Sequence, residues 1–270
     1  MSIYNGESYL HDSIECILNQ TYRDFEFIII NDGSSDKTQE IINKYAEDDI
    51  RIVPINQDNI GLTKSLNKGI LLSKGKYIAR QDVDDISVPD RLENQIETFS
   101  KCPSLVLLGT WYSVEDSGGV IMERCRPIGD TDLRKLLYRC NPFCHSSVMF
   151  KRDAWEEVGG YRENMKTSQD FDLWLRIALT GKIALIPKIL VRHFRNPKSI
   201  SKGKQSWTQI TYSFYYRLTN KKLISSHYAV ISAVISLLYS LCVKCIPDKI
   251  LYYYLSCKSG RKISNRSNII

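Results

Sequence analysis

Short apolar runs alternate with segments whose apolar residues recur every three or four positions through the first part of the chain. From Glu7 to Gln20, Leu10, Ile14, Ile17 and Leu18 share one face, the spacing of a helix packed on a sheet. Phe25–Ile30 is a short apolar run, interrupted by Glu26, that stops at Asn31-Asp32-Gly33-Ser34, which predicts a buried strand followed by a turn. Helices are predicted over Asp36–Tyr45 and Leu62–Leu72, and short strands over Arg51–Ile55 and Tyr77–Arg80. Strands separated by helices of this length need crossover connections, so the pattern implies an α/β fold with a mostly parallel, Rossmann-like sheet. Ligands of such sheets bind beyond the carboxyl ends of the strands, where Asp32 and Asp82–Asp85 fall.

After Pro89 the order changes. A helix over Pro89–Lys101, with Ser87 as its N-cap, leads to a strand over Leu105–Val114, a Gly118-Gly119 turn and a return strand over Val120–Cys125. A further strand over Ser147–Phe150 and a helix over Gln169–Leu179 follow. Only Met1–Gly6 precedes the first helix, too little for the buried strand that usually opens a doubly wound sheet, so the true start is expected upstream.

Composition places the chain among globular proteins: 270 residues, 43% hydrophobic and 25% charged. Eight cysteines without paired zinc-ribbon spacing, and no leader-like start, imply free thiols in a reducing, cytoplasmic setting. The net charge of +7 hides a split. Residues 182–270 carry 16 Lys and Arg against one acid, Asp248, leaving 21 bases and 29 acids over 1–181. The expected organisation is a catalytic domain over 1–205 and a basic, aromatic, helical appendage over 206–270.

Several chemistries can be set aside. No G-x-G-x-x-G is present, and Gly69–Tyr77 misses the P-loop by one spacer and by Tyr77 in place of Ser or Thr. Asp82-Val83-Asp84-Asp85 lacks the glycine and glutamate of an EF-hand. Hard oxygen ligands at a strand end suit Mg²⁺ or Mn²⁺ bridging a diphosphate. Cys140-x3-Cys144-His145 has no fourth ligand in view, and Pro142 and Phe143 point to packing. Asp32 could face the donor edge of a ligand, while Ser35 or Asp36 caps the next helix.

In combination these segments are far more specific. Tyr4-Asn5-Gly6, Asn19-Gln20-Thr21-Tyr22, Phe25–Ser34, Asn59-Ile60-Gly61-Leu62 and Gly75–Ala79 are followed by Gln81–Asp85 and Pro89-Asp90-Arg91-Leu92. His145–Phe150, Gly159-Gly160-Tyr161 and Ser168–Arg176 complete the series. In this order, over about the first 180 residues, the chain resembles the family 2 glycosyltransferases of bacterial cell-surface polysaccharide synthesis. The resemblance implies a GT-A fold and metal-dependent, inverting transfer of a sugar from a nucleotide-sugar donor, commonly a UDP-sugar, to a glycan or lipid-linked acceptor. It implies that Asp32 binds the nucleotide base, with Tyr4 and Asp82 also at the nucleotide. Asp84 and Asp82 become the metal pair for Mn²⁺ or Mg²⁺, with Asp84 the direct ligand, and Asp170 the catalytic base. Gln169 stands where many members have Glu, and Asn196 replaces the histidine of a Tyr-Arg-x-His segment. The alternatives are a nucleotidyltransferase on a similar fold and a truncated, non-catalytic binding protein.

The tail adds a location. Leu223–Val243 has 21 residues without Lys, Arg, Asp or Glu, but Ser232, Ser236 and Ser240 form a polar stripe, and cations flank both ends. That pattern fits a helix lying on an anionic membrane surface better than one spanning it. The expected location is therefore the cytoplasmic face of the cell membrane. No nucleic-acid module accompanies the charge, so nucleic acid is not an expected partner.

Overall fold

The computed structural model describes residues 1–137, 140–165 and 167–194. The basic appendage, the 223–243 segment and Asn196 lie outside the described residues. Among the described residues no helix is long and apolar enough to cross a membrane.

The first half follows its apolar pattern. Strand β1 (Ser2–Ile3), helix α1 (Glu7–Leu18), β2 (Phe27–Asp32), α2 (Thr38–Asp48), β3 (Ile52–Gln57) and α3 (Leu62–Leu72) form crossover units. Their three strands pair in parallel in the order β1-β2-β3. Leu10, Ile14 and Ile17 of α1 are buried against Phe27 and Ile29 of β2 and Ile42 of α2, as the helical spacing requires. The opening strand, expected to be almost absent, is two residues long and pairs Ser2 with Ile30 and Ile3 with Asn31. The Met1 amino group donates to the Ile28 carbonyl at 2.8 Å.

The second sheet departs from the mostly parallel expectation. Strands β4 (Tyr77–Ala79), β5 (Asp85–Ser87), β6 (Leu105–Asp116), β7 (Gly119–Arg124), β8 (Met149–Lys151) and β9 (Lys182–Phe194) form it, in the order β4-β8-β6-β9-β5 with β7 paired to β6. Only β6–β9 is parallel there. Long β9 spans β5 and β6, and so ties the segment after the acidic loop to the middle of the sheet. A cavity of about 750 Å³ is lined, among others, by Phe27, Ile28 and Ile30 of β2 and Tyr77, Ile78 and Ala79 of β4.

Helices α4 (Arg91–Lys101), α5 (Asp130–Leu137), α6 (Arg152–Glu157) and α7 (Gln169–Ile177) complete the described elements, with a 3₁₀ turn at His145–Ser147. Two expected caps change. Ser87 does not cap α4: it is a buried residue of β5, donating to Gln81 Oε1 at 2.7 Å and accepting from Arg91. Nor is Ser35 or Asp36 the N-cap of α2, which is Lys37; the Asp36 carboxylate, just before it, accepts from the Thr38 N–H at 3.0 Å and, across the fold, from the Glu7 N–H at 3.1 Å.

Candidate active site

Asp32 closes β2, and Gly33 turns the chain away with φ +74°; a Cβ there would sit 2.7 Å from the Asn59 nitrogen. That close approach brings the Asn59–Gly61 loop over the aspartate. The carboxylate accepts from Gln57 Nε2 (2.8 Å), the Ile60 N–H (2.9 Å) and the Gly61 N–H (2.9 Å). Burial opposes ionisation of Asp32, but these donors and the Ser65 hydroxyl outweigh it and hold its pKa below the usual value. Tyr4 is exposed on the loop before α1. Asn5, at φ +53°, ties that loop to the Asp32 turn, its Oδ1 accepting from the Ser35 N–H at 2.8 Å and its N–H donating to Ser34 Oγ at 2.9 Å. The residues expected at the nucleotide base thus share one edge.

The acidic loop leaves the end of β4, and its three carboxylates have different fates. Asp82 is paired with Arg80, lies 3.3 Å from His145 Nδ1 and accepts from Ser146 Oγ at 3.3 Å. Burial opposes its charge, but the Arg80 guanidinium and then His145 hold its pKa far below the carboxylate range. Asp85 is buried on β5, hydrogen-bonded to His193 Nδ1 (2.8 Å), the Phe194 N–H (3.2 Å) and the Ser146 hydroxyl. Asp84 makes no side-chain hydrogen bond among the described residues. Burial, then the charges of Asp85 and Asp82, push its pKa up to about 6.

That contrast tests the fit of a divalent cation. A hard ion needs carboxylate oxygens not already neutralised, and Asp84 supplies them where negative charge is in excess. Asp82 is neutralised by Arg80, so of the two residues expected to hold metal only Asp84 is open. A second cluster, Asp85, Cys144 and His193, brings its ligand atoms within 4.8 Å of one another. There the Cys144 thiol is pushed up by burial, which disfavours the thiolate a metal needs, and Asp85 already holds His193. Cys144 is buried, and His145 beside it lies 3.3 Å from Asp82.

Asp170 sits in the first turn of α7, two residues after Ser168, a non-glycine N-cap at φ +58°. One of its oxygens, Oδ2, accepts from Asn141 Nδ2 at 2.7 Å. The helix is anchored by Trp174, fully buried, whose ring meets those of Phe150 (5.6 Å), His145 (6.0 Å) and Tyr161 (6.4 Å). Asp172 instead faces Arg176 (2.6 Å) and Arg162 (3.3 Å) and is fully buried.

Beside Asp82 lie residues to which sequence assigned no role. His145 Nε2 lies 2.9 Å from the Tyr161 hydroxyl and accepts from Arg80 Nε at 3.1 Å. With Nδ1 turned to Asp82, that ring nitrogen is the acceptor. Burial raises the Tyr161 pKa, Asp170 and Asp82 add to it and Arg80 opposes. Asn67 of α3 fixes Tyr161 by bonding both its carbonyl (2.8 Å) and its N–H (2.9 Å). Arg80, His145 and Tyr161 all lie within or beside the recognised motifs, and a buried cation directly before an acidic loop was the available signal.

A parallel three-stranded unit joined to a mixed sheet, with acidic loops at the carboxyl ends of β2 and β4, defines a GT-A-type α/β fold. Residues 1–159 match the family described as glycosyl transferase family 2. An uncharacterized glycosyltransferase of Methanocaldococcus jannaschii is 36% identical over 228 residues, covering 82% of this chain and 78% of that protein. The putative glycosyltransferase EpsE of Bacillus subtilis is 39% identical over 186 residues, covering 67% of this chain and 66% of its own length. The amylovoran biosynthesis glycosyltransferase AmsE of Erwinia amylovora is 30% identical over 215 residues, covering 78% and 80%. The chain belongs to glycosyltransferase family 2. Among solved structures, S. aureus TarS 1-349 in complex with UDP-GlcNAc superposes with a TM-score of 0.70 at 15% identity, covering 87% of this chain and 70% of that one. The mannosyltransferase PcManGT from Pyrobaculum calidifontis, in complex with GDP-Man and Mn²⁺, superposes at 0.62 and 15% identity, covering 95% and 78%.

Proposed function

We propose that this chain transfers a sugar from a UDP-sugar to a hydroxyl of a glycan or lipid-linked acceptor, with inversion at the anomeric carbon, in cell-surface polysaccharide synthesis. The observation that carries the reading is the cluster of Asp82 with His145 and Tyr161 beside the acidic loop, with Asp84 left open there. Asp32, held ionised at the end of β2, takes a base N–H; Tyr4 flanks it. Asp82, neutralised by Arg80, accepts from the nucleotide's sugar hydroxyls. Asp84, with Asp82 behind it, would hold Mn²⁺ or Mg²⁺, which when bound neutralises charge building on the departing diphosphate.

The acceptor hydroxyl gives its proton to Asp170 Oδ1 while its oxygen pair bonds the anomeric carbon. The bond from that carbon to the diphosphate oxygen breaks, and its electrons leave with the diphosphate. A relative named for amylovoran biosynthesis and neighbours holding UDP-GlcNAc, or GDP-Man with Mn²⁺, support the donor class and the metal. The +15 charge of residues 182–270 supports residence on an anionic, cytoplasmic membrane face.

The test is incubation of the full chain with UDP-GlcNAc or GDP-mannose and Mn²⁺, with product identification, alongside Asp170→Asn. Free nucleoside diphosphate is expected, falling about 10²–10⁴-fold in the variant with nucleotide binding retained. Pyrophosphate as product, or Asp170→Asn at the parent rate, would overturn the assignment.

A further inference from the structure

Asp170 is held on one side only. Its Oδ2 accepts from Asn141 Nδ2 at 2.7 Å, and Oδ1 receives no hydrogen bond among the described residues. The direction of the Asn141 amide is set by a second contact. Its Oδ1 accepts from the Phe143 N–H at 3.1 Å. A backbone N–H can only donate, so it must face the amide oxygen, which leaves the NH₂ group for the carboxylate. Phe143 is buried, and its ring meets Trp174, which stands on the same helix as Asp170, at 6.4 Å. The 141–143 turn and the head of α7 are thus fixed to each other through an aromatic contact and an amide.

We propose that Asn141 is a positioning residue for the base: it pins Oδ2 so that Oδ1 is presented to the acceptor hydroxyl. This rests on the reading of Asp170 as the base. A neutral amide suits the task. A lysine or arginine at the same distance would stabilise the charged carboxylate and weaken it as a proton acceptor. An amide orients the group while adding no net charge. A carboxyl rotating freely about its Cβ–Cγ bond would place the accepting lone pair correctly for only part of the time, and a productive general base needs hydrogen-bond geometry before it needs the right pKa.

The experiment uses the full chain, Mn²⁺ and slow hydrolysis of UDP-GlcNAc or GDP-mannose, whichever the parent turns over. Water as acceptor needs the same base, so no acceptor need be known. Asn141→Ala should lower kcat about 5–10-fold, the worth of one hydrogen bond, with donor KM within twofold of the parent. Asn141→Asp puts a second carboxylate against Asp170. Like charges raise one of the two pKa values, so the acid limb of the kcat–pH profile should move to higher pH by about one unit or more. A role confined to packing would not move that limb. The inference is overturned if both variants keep the parent kcat and pH profile, or if kcat, donor KM and melting temperature fall together with no shift of the limb. Asp170→Asn separates the two failures. If it is inactive while the Asn141 variants match the parent, only the positioning role is wrong; if it turns over at the parent rate, the base lies elsewhere.

Discussion

Arg91 is a fully buried arginine at the start of α4 whose guanidinium holds the backbone leading into the acidic loop. Its Nη1 donates to Ser87 Oγ (2.8 Å) and Gln81 Oε1 (3.1 Å), and its Nη2 to the carbonyls of Arg80 (2.8 Å) and Val148 (3.2 Å). Burial pulls its pKa down to about 10, which still leaves it charged at neutral pH. Consider Arg91→Met, which keeps an unbranched apolar stem and removes every donor. Four charge-assisted bonds are worth about 1.5–3 kcal/mol each in isolation. Against this, the buried cation itself costs several kcal/mol of desolvation, so the net loss should be about 3–5 kcal/mol, with four buried acceptors left without donors. At about 2–4 °C per kcal/mol for a domain of this size, the melting temperature should drop by roughly 6–20 °C. Arg91→Lys, with one ammonium in place of a planar fork, should fall between the two. Thermal unfolding followed by circular dichroism measures this directly. A Met variant melting within about 2 °C of the parent would refute the claim that these four bonds hold the loop.

Two further outcomes are expected. Asp172→Ala should cost about 3–5 kcal/mol by leaving Arg176 buried without its partner, as read from chemical denaturation, while nucleotide affinity measured below the unfolding transition stays near the parent value. Stability should also decline in acid: bonding to Arg192 holds Glu115 below its usual pKa, and for Asp130 the Arg134 and Ile183 donors outweigh burial to the same effect. A depressed carboxylate contributes stability that is complete above its unfolded pKa, about 4, and is lost as pH falls through the lower folded value. The unfolding midpoint should therefore fall below about pH 4, and Glu115→Gln should shrink that fall; a parent-like acid limb in the variant would remove Glu115 from the account.

The elements legible in the sequence are those whose signal is local. Helix α3 carries its own period and ends where predicted, at Leu62 and Leu72. The buried run of β2, the β6–β7 hairpin around Gly118-Gly119 and the head of α7 were equally readable, because each is decided by residues within a few positions of one another. The identities of Asp32, Asp82, Asp84 and Asp170 also stood out, since strand ends and motif order fall within short windows.

What each aspartate faces was not legible. Ser87 sits where a cap belongs by local rules, yet Arg91 and Gln81 claim its hydroxyl once β5 pairs with β9. β9 itself has Pro187 and Lys188 in mid-run and no clean alternation; it is a strand because β5 and β6 offer edges on either side. Likewise Arg80 reaches a histidine 65 positions away and Asp32 takes amides 28 and 29 positions on. Hydrophobic period is a property of neighbours along the chain, whereas the partner that neutralises one carboxylate, leaves the next open and orients a third is chosen only when distant segments are folded against one another.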